Sequence, residues 1–439
     1  MPTEPRDLGA EHVEALYDRD PQYEWDRLDR HRTEYAVTLR ALSEYLPPPP
    51  ARILDCGGGP GRYAIELTKL GYQVTLFDLS LNSLALARSK AAEASVQIAH
   101  YDHGTATDLS CFEDNSFDAV LLMGPLYHLL QADTRQQAVR EAYRVLKPGG
   151  RIFCAFITRY APVRYTAAHD RATWPSERPD EWEMILKEGL QPPSDAAKFV
   201  AYFCRPDEVE PLLWSIGFET EIVLGVEGLV SMIETHINAL QGDAWETWVE
   251  INYQAAADRS IHGCTEHLLA VSTKPKWRSV LCHIAQELDQ AGIPYKVVGG
   301  TAAALHGVPV RVKDIDLETT PEGAYRFQSL FQDYVTKTVT LCESEVYRSH
   351  FGQFDLNGVQ VEVMGDLCRR EGDDWVPTTT QTRATVDLDG VPVCTAWLEE
   401  ETLAYVRRDR LDRAALCLPH CDRARLLALV HAEQRSNVI

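Results

Sequence analysis

The chain lacks long apolar runs. No stretch approaches the ~18–20 residues that a helix needs to span a bilayer, so no membrane helix is expected. Its first seven residues are polar and lack the apolar stretch of a signal peptide, and a cytoplasmic location is expected. Paired C-x-x-C spacing is absent from the eleven cysteines. Cys417 and Cys421 lie one helical turn apart beside His420 without a second ligand pair, so reduced thiols are expected rather than zinc. Excess basic charge is missing too: 43 Lys and Arg against 65 Asp and Glu leave a net charge of −22. Binding a duplex requires a concentrated basic surface that releases counterions. Nucleic acid is therefore disfavoured as a partner. Nothing in the composition reports an oligomeric state.

What is present is a chain of 439 residues, too long for one ordinary core, with the 45% hydrophobic and 25% charged content of a globular protein. Internal repeats are absent, and the only low-complexity run is the prolines at 47–50. Proline cannot continue a helix, so this run separates an N-terminal helical segment from a first strand. Strand and helix then alternate: strands at 52–56, 73–78, 96–100, 117–123 and 151–156, and helices at 63–70, 82–93 and 135–146, the last ending at Lys147-Pro148-Gly149-Gly150. Such alternation with continuous apolar strands predicts a doubly wound, mostly parallel sheet. Late strands are expected at 218–224 and 267–271. Residues 272–276 form the expected boundary, giving a domain over 1–275 and a second, α+β domain over 276–439. The second begins with a helix at 277–291, a strand at 295–298, a helix at 301–306 and a strand at 313–319, and turns helical and arginine-rich from 399 onward.

Asp55-Cys56-Gly57-Gly58-Gly59-Pro60-Gly61-Arg62 lies where the first strand turns into the first helix of this alternation. A tight turn there demands open backbone angles, and a ligand must approach without meeting a Cβ. Asp78 ends the second strand 17 residues after Gly61, where an acidic side chain commonly accepts ribose hydroxyls. The run Gly59-Pro60-Gly61-Arg62-Tyr63-Ala64 also fits a relaxed dinucleotide fingerprint, so the glycine loop alone leaves a nicotinamide or flavin enzyme open.

Further motifs decide. The loop, Val74-Thr75-Leu76-Phe77-Asp78, Ser116-Phe117-Asp118-Ala119-Val120 with Gly124-Pro125-Leu126-Tyr127-His128, and Val145-Leu146-Lys147-Pro148-Gly149-Gly150 follow one another in order. Over roughly residues 17–275 the chain resembles the class I S-adenosylmethionine-dependent methyltransferases, in their small-molecule branch, with a Rossmann-like fold. The resemblance implies that Asp55, Gly57, Gly59, Gly61 and Tyr63 hold the amino-acid end of S-adenosylmethionine, and that Asp78 holds its ribose. Met123 and Gly124 would line the pocket. The family's acidic residue after the third strand has no direct counterpart here; the position aligns with Thr105, and Asp102 is the alternative for the adenine contact. His128 is the candidate base, because imidazole titrates near neutrality, with a pocket-wall histidine as the equal alternative. Residues 1–50 would form a helical lid, whose charged run at 24–32 also reads as a solvated face. Residues 159–200 and 228–262 would be substrate-side insertions, where Trp174, Trp182, Trp245 and Trp248 suit an apolar pocket or ordinary core packing.

In the second domain, Gly299-Gly300-Thr301 is followed by Asp314-Ile315-Asp316, 14 residues after Gly300. Residues i and i+2 of a strand face one side, so both carboxylates point together, and keeping both ionised calls for a cation. Glu362 interrupts the apolar run Val359-Gln360-Val361-Glu362-Val363 and is costly there unless paired or coordinating. Three oxygen ligands suit Mg²⁺, and Gly299, Gly300 and Thr301 at a helix start suit a triphosphate. Over about residues 277–420 this set resembles the DNA polymerase β-like nucleotidyltransferases in their minimal, antibiotic-modifying form. The third acid is Glu, where Asp is common. The resemblance implies metal binding by Asp314, Asp316 and Glu362 and nucleoside monophosphate transfer from a nucleoside triphosphate. The whole chain thus reads as a bifunctional small-molecule tailoring enzyme. A methyltransferase with a nucleotide-sensing second domain and an RNA-modifying enzyme are the alternatives.

Overall fold

The computed structural model describes residues 9–169, 171–191, 199–378 and 383–436. The chain divides into two compact units, Met1–Pro275 and Lys276–Ile439.

The first unit opens with three helices, α1 (Gly9–Arg19), α2 (Pro21–Arg30) and α3 (Arg32–Tyr45). A sheet follows, built from β1 (Arg52–Cys56), β2 (Gln73–Asp78), β3 (His100–His103), β4 (Phe117–Leu122) and β5 (Leu146–Thr158). Its helices are α4 (Arg62–Lys69), α5 (Leu81–Glu93) and α6 (Ala132–Val145). The strands run in the order β3-β2-β1-β4-β5, all parallel. Consecutive residues take opposite faces. Ile53, Leu76, Ala119, Leu121 and Phe153 join the core beneath α3, α4 and α5. Leu54, Phe77, Val120, Leu122 and Ile152 join the core beneath α6. Burial on both faces explains why these strands read as unbroken apolar runs rather than alternating ones.

Beyond β5 come α7 (Ala161–Ala168), α8 (Trp174–Glu177), α9 (Pro179–Glu188), β6 (Leu190–Gln191), β7 (Ala201–Cys204) and α10 (Pro206–Ile216). Then follow β8 (Glu219–Gly225), α11 (Glu234–Asn238), α12 (Gly242–Ala255) and β9 (His267–Thr273). β9 pairs antiparallel with β5, and β8 antiparallel with β9. Two local expectations need correction. The third strand lies at His100–His103 rather than 96–100, because Val96–Ile98 completes the turn out of α5. Lys147-Pro148-Gly149-Gly150 does not cap the helix; it belongs to β5, where Gly149 N–H donates to the Lys274 carbonyl at 2.7 Å.

The second unit begins with α13 (Lys276–Gln290), β10 (Tyr295–Val298), α14 (Gly299–Leu305), β11 (Asp314–Thr319) and α15 (Pro321–Leu330). β12 (Val335–Glu343), β13 (Tyr347–Leu356), β14 (Val359–Glu371), β15 (Asp374–Pro377), β16 (Ala384–Leu388) and β17 (Val391–Thr395) follow. It ends with α16 (Leu398–Arg407), α17 (Leu411–Cys417) and α18 (Arg423–Ser436). The mixed sheet runs β12-β13-β14-β11-β10-β17-β16, with β15 on the extension of β14. Ile315, Leu317, Val361 and Val363 pack with Leu281, Ile284 and Phe327 of α13 and α15. Alternation therefore turns Asp314, Asp316 and Glu362 to the opposite face.

Among the described residues no helix is long and apolar enough to cross a membrane. All eleven cysteines are free. The Cys421 thiol contacts the Thr402 hydroxyl and the Cys417 carbonyl oxygen, uses that need no metal.

Candidate active sites in the two units

In the first unit the glycine loop is shaped by contacts a side chain would spoil. Gly57 (φ +75°) donates its N–H to the Phe77 carbonyl at 2.7 Å, and a Cβ on it would strike the Pro125 ring at 2.5 Å. Gly59 (φ +54°) has open space where a Cβ would stand, leaving its backbone bare on the ligand side. Beside the loop lies a cavity of about 250 Å³. Asp55, Gly57, Gly59, Tyr63, Asp78, Thr105, Met123, Gly124 and His128 all line it. Gly61 and Asp102 do not line it. Gly61 is the left-handed N-cap of α4, packed between Ala87 and Leu76, and Asp102 sits within β3 beside Phe77.

Asp55 is 2% exposed, and its Oδ2 has no hydrogen-bond partner. Burial and the neighbouring Asp78 carboxylate push its carboxyl up to about 7. A buried carboxylate in that state is short of a cation or donor, which the ammonium of an amino-acid ligand would supply. The Asp78 oxygens accept the N–H groups of Gly59 (2.7 Å) and Ser80 (2.8 Å), and each keeps a lone pair for a hydroxyl. Burial still raises the Asp78 pKa, with those two N–H groups opposing. Residues Asp55, Asp78 and Gly57–Gly59 thus fit an aminoacyl nucleoside.

His128 follows the short 3₁₀ turn Pro125–Tyr127. Its Nδ1 lies 2.9 Å from the Val200 carbonyl, and its Nε2 lies 2.5 Å from the Tyr17 hydroxyl. Burial pushes the ring down to about 4. A neutral ring that donates from Nδ1 must accept at Nε2, so the Tyr17 hydroxyl donates. Tyr17, Glu24 and Arg27 from the N-terminal helices complete the wall. Sequence reasoning named none of the three as site residues, although the charged run at 24–32 was the available signal.

Arg27 donates to Glu24 at 2.9 Å and forks onto both oxygens of Glu34 at 2.7 and 2.9 Å. Behind it, His267 Nδ1 donates to Glu227 at 2.5 Å, and Thr265 and the His267 backbone N–H also donate to Glu227. Burial opposes ionisation of Glu34, yet Arg27 and His267 hold it down at about 2. Glu227 and Glu34 outweigh the desolvation of His267 and raise it to about 9. Glu34, Glu227 and His267 bring one ligand atom each within 4.8 Å of one another. All four carboxylate oxygens already accept hydrogen bonds, and Arg27 and protonated His267 balance the two charges. This is an ion-pair network tying α2 and α3 to the start of β9, not a cation site.

The tryptophans at 174, 182, 245 and 248 do not line the cavity. Trp245 is buried under the Arg32 guanidinium (4.0 Å), Trp182 packs beside Ile185 and Phe203, and Trp174 lies between Arg171 and Arg178. Of the described residues in 159–200, Val200 alone reaches the cavity wall, and none in 228–262 does.

In the second unit, β11 runs parallel to β14 with Asp316 opposite Glu362 and Asp314 two residues along the same face, although the oxygens of the three do not all come within 4.8 Å of one another. Glu362 Oε1 is oriented by the amides of Gln353 (2.9 Å) and Gln360 (2.8 Å). Burial, then Asp314, Glu362 and Glu401, push Asp316 up to about 7; burial and Glu362 raise Asp314. Mutual repulsion of this kind is what a divalent cation relieves, so the donor set fits Mg²⁺. Gly299 (φ +68°) starts α14 so close to the strand that a Cβ would stand 2.5 Å from Asp316 Oδ2. Gly300 next to it has open space. The Thr301 hydroxyl donates to the Asp314 carbonyl at 2.6 Å, fixing the helix start to β11. Glu401 of α16, missed from sequence, is buried near Asp316; burial pushes it up to about 7, with Arg408 opposing.

Comparison with known proteins gives two independent matches. Residues 54–154 match the methyltransferase-domain family, and residues 280–416 match the aminoglycoside-2''-adenylyltransferase family. The ubiquinone biosynthesis O-methyltransferase of Xanthomonas axonopodis pv. citri is 30% identical over 190 residues, 43% of this chain and 72% of that protein. Its counterpart from Xanthomonas oryzae pv. oryzae is 36% identical over 132 residues, and there the chain spans only 53% of the relative's length. Among solved structures, a Thermotoga maritima nucleotidyltransferase is 34% identical, covering 32% of this chain and 90% of its own, with a TM-score of 0.30. A Methanosarcina mazei S-adenosylmethionine-dependent methyltransferase is 20% identical, covering 54% of this chain and 97% of its own, with a TM-score of 0.39.

Proposed function

The chain belongs to the methyltransferase family and carries an adenylyltransferase-like nucleotidyltransferase domain behind it, and on that premise we propose a bifunctional enzyme that tailors small molecules. The first unit uses S-adenosylmethionine, and the second transfers a nucleoside monophosphate from a nucleoside triphosphate with Mg²⁺. The observation that carries the first half is the buried Asp55 oxygen without a partner, set beside a glycine turn and Asp78. The observation that carries the second is the register that sets Asp314, Asp316 and Glu362 on one face of the sheet, with Asp316 against Gly299.

Bound S-adenosylmethionine supplies a methyl carbon on a sulfonium, open to in-line displacement. Asp55 takes the ammonium of its amino-acid end, Asp78 accepts the ribose hydroxyls, and Thr105 to Thr107 lie along the cavity for the base. Much of the rate comes from positioning. His128, neutral at pH 7, receives the acceptor's proton at Nε2 as the new bond forms, once the Tyr17 hydroxyl yields that lone pair. In the second unit Asp314, Asp316 and Glu362 hold the metal, which supplies charge neutralisation at the phosphoryl oxygens. The backbone of Gly299 and Gly300 receives the phosphates. The named relatives are O-methyltransferases and the matching family is an adenylyltransferase, so oxygen acceptors and ATP are the first probes.

Purified protein is incubated with labelled S-adenosylmethionine, or with α-labelled nucleoside triphosphates and Mg²⁺, across a panel of small hydroxylated and amine acceptors. Transfer of both labels supports the reading. No consumption of either cofactor together with no binding of either would sink it. One observation favours a nucleotide-sensing second unit instead: the Glu362 oxygen that faces Gln353 and Gln360 is already engaged twice. In that case nucleotide alters methyl transfer and no labelled monophosphate is incorporated.

A further inference from the structure

His128 is held from two directions, and both holds converge on one side chain. Its Nδ1 lies 2.9 Å from the carbonyl of Val200, just before β7, and its Nε2 faces Tyr17 in the cavity wall. After His128 the chain runs through Leu129 and Leu130, which also line the cavity, toward α6. Arg135, in the first turn of α6, folds back: its Nη1 donates to the Leu129 carbonyl at 2.7 Å and to the Leu130 carbonyl at 2.8 Å. The carbon of the same guanidinium lies 3.5 Å from the centroid of the Tyr202 ring, two residues beyond Val200. The Tyr202 hydroxyl in turn donates to Glu208, which ties the ring to the start of α10.

Arg135 is 8% exposed, and its partners among the described residues are two carbonyl oxygens and a ring rather than a carboxylate. A guanidinium buried without a counter-ion is costly. What its planar fork adds is a double grip, with donation in its plane and a ring against its face. One grip fastens the segment that carries His128, and the other fastens the strand next to the carbonyl that takes its Nδ1 proton. That carbonyl decides the tautomer. With the proton on Nδ1, the Nε2 lone pair can receive another; with it on Nε2, lone pairs would face each other at Val200 and the cavity side could accept nothing.

We propose that Arg135 is a positioning residue for His128: it locks residues 128–130 against β7, so that the ring keeps its proton on Nδ1 and presents Nε2 to the acceptor. This rests on the reading of His128 as the group that receives the acceptor's proton.

The test compares the full chain with Arg135→Met, which removes charge and donors at similar length, and Arg135→Lys, which keeps a charged donor without the planar stack. The first readout is the pair of ring-nitrogen NMR shifts of neutral His128, which separate the two tautomers. The second is single-turnover methyl transfer to a phenol that is neutral at the assay pH and to a nitrophenol already ionised there. S-adenosylhomocysteine titration reports that each preparation keeps its cofactor pocket. The unmodified protein is expected to show the Nδ1–H tautomer alone. Arg135→Met should mix the tautomers and slow transfer to the neutral phenol about tenfold, part of what a positioned base supplies, while transfer to the nitrophenolate stays within about twofold. Arg135→Lys should show the same acceptor dependence with a smaller loss, and it decides the matter if Arg135→Met no longer binds S-adenosylhomocysteine. An unchanged tautomer in both variants would overturn the proposal. So would equal losses with both acceptors, the mark of a merely structural arginine. If neither phenol accepts a methyl group, the ring shifts alone decide. If His128→Asn costs nothing with the neutral phenol, the base reading falls, while the shifts still show whether Arg135 orients the ring.

Discussion

Replacing Asp55 with Asn separates stability from ligand binding in the first unit. Asp55 is buried, and desolvation together with Asp78 moves it from 3.8 up to about 7. The sign follows from linkage: an acid raised on folding costs nothing below its unfolded pKa, costs more as pH rises toward the folded one, and is constant above it. At about 1.36 kcal/mol per pH unit, an ionised Asp55 at pH 8 costs the ligand-free protein on the order of 4 kcal/mol. Asn removes that cost but brings a buried amide, worth roughly 1–3 kcal/mol if unmatched. A net stabilisation of about 1–3 kcal/mol is expected at pH 8. The gain at pH 8 should exceed that at pH 5.5 by about 2 kcal/mol, because the difference between 5.5 and the folded pKa is about 1.5 units. The assay is urea unfolding at both pH values, following the transition that S-adenosylhomocysteine shifts in the unmodified protein. In Asp55→Asn that ligand should no longer shift it. A variant that is less stable at pH 8 and still binds S-adenosylhomocysteine would refute the reasoning.

Three further outcomes are expected. Gly299→Ala places a methyl group 2.5 Å from Asp316 Oδ2 at a positive φ, and should destabilise the second unit by about 1–3 kcal/mol and abolish Mg–ATP binding by calorimetry. Glu227→Gln removes the partner that lifts His267 to about 9. The stability from protonated His267 is fully present below about pH 6.5 and lost as pH rises through about 9, so chemical denaturation from pH 6.5 to 9.5 should show this loss in the unmodified protein and a flattened profile in Glu227→Gln. His128→Asn should lower kcat for an acceptor that must lose a proton by about 10²–10⁴ while leaving S-adenosylhomocysteine affinity within a few-fold, which single-turnover assays and calorimetry would check.

The parts of the fold that sequence reveals are those whose physics is local. The strand–glycine–helix turn at 55–61 and Asp78 need only short spacing, as does Asp314-Ile315-Asp316, and the alternating strands from 52 to 156 follow from apolar runs. Glu362 was legible because a charge among valines stands out. What was not legible depends on residues far apart in the chain. Tyr17 meets His128 across 111 residues, and Glu34 shares a network with Glu227 and His267. Glu401 lies in a Glu-rich helix start, indistinguishable from the half-buried Glu400 beside it until α16 packs on α14. The β12–β13 hairpin was also missed. Val335–Glu343 exposes most of its residues at the sheet edge, so its periodicity is weak. Of the two readings left open for the tryptophans, packing holds for Trp174, Trp182 and Trp245, which lie against arginines or in a core cluster.

The most direct test of the two-site account is calorimetric titration of the full chain, first with S-adenosylhomocysteine and then with each nucleoside triphosphate plus Mg²⁺. The account predicts that both bind, one in each unit. Asp314→Asn and Asp316→Asn should remove the nucleotide isotherm while leaving the first unchanged. Nucleotide binding that survives both substitutions, or no nucleotide binding at all in the unmodified chain, would contradict it.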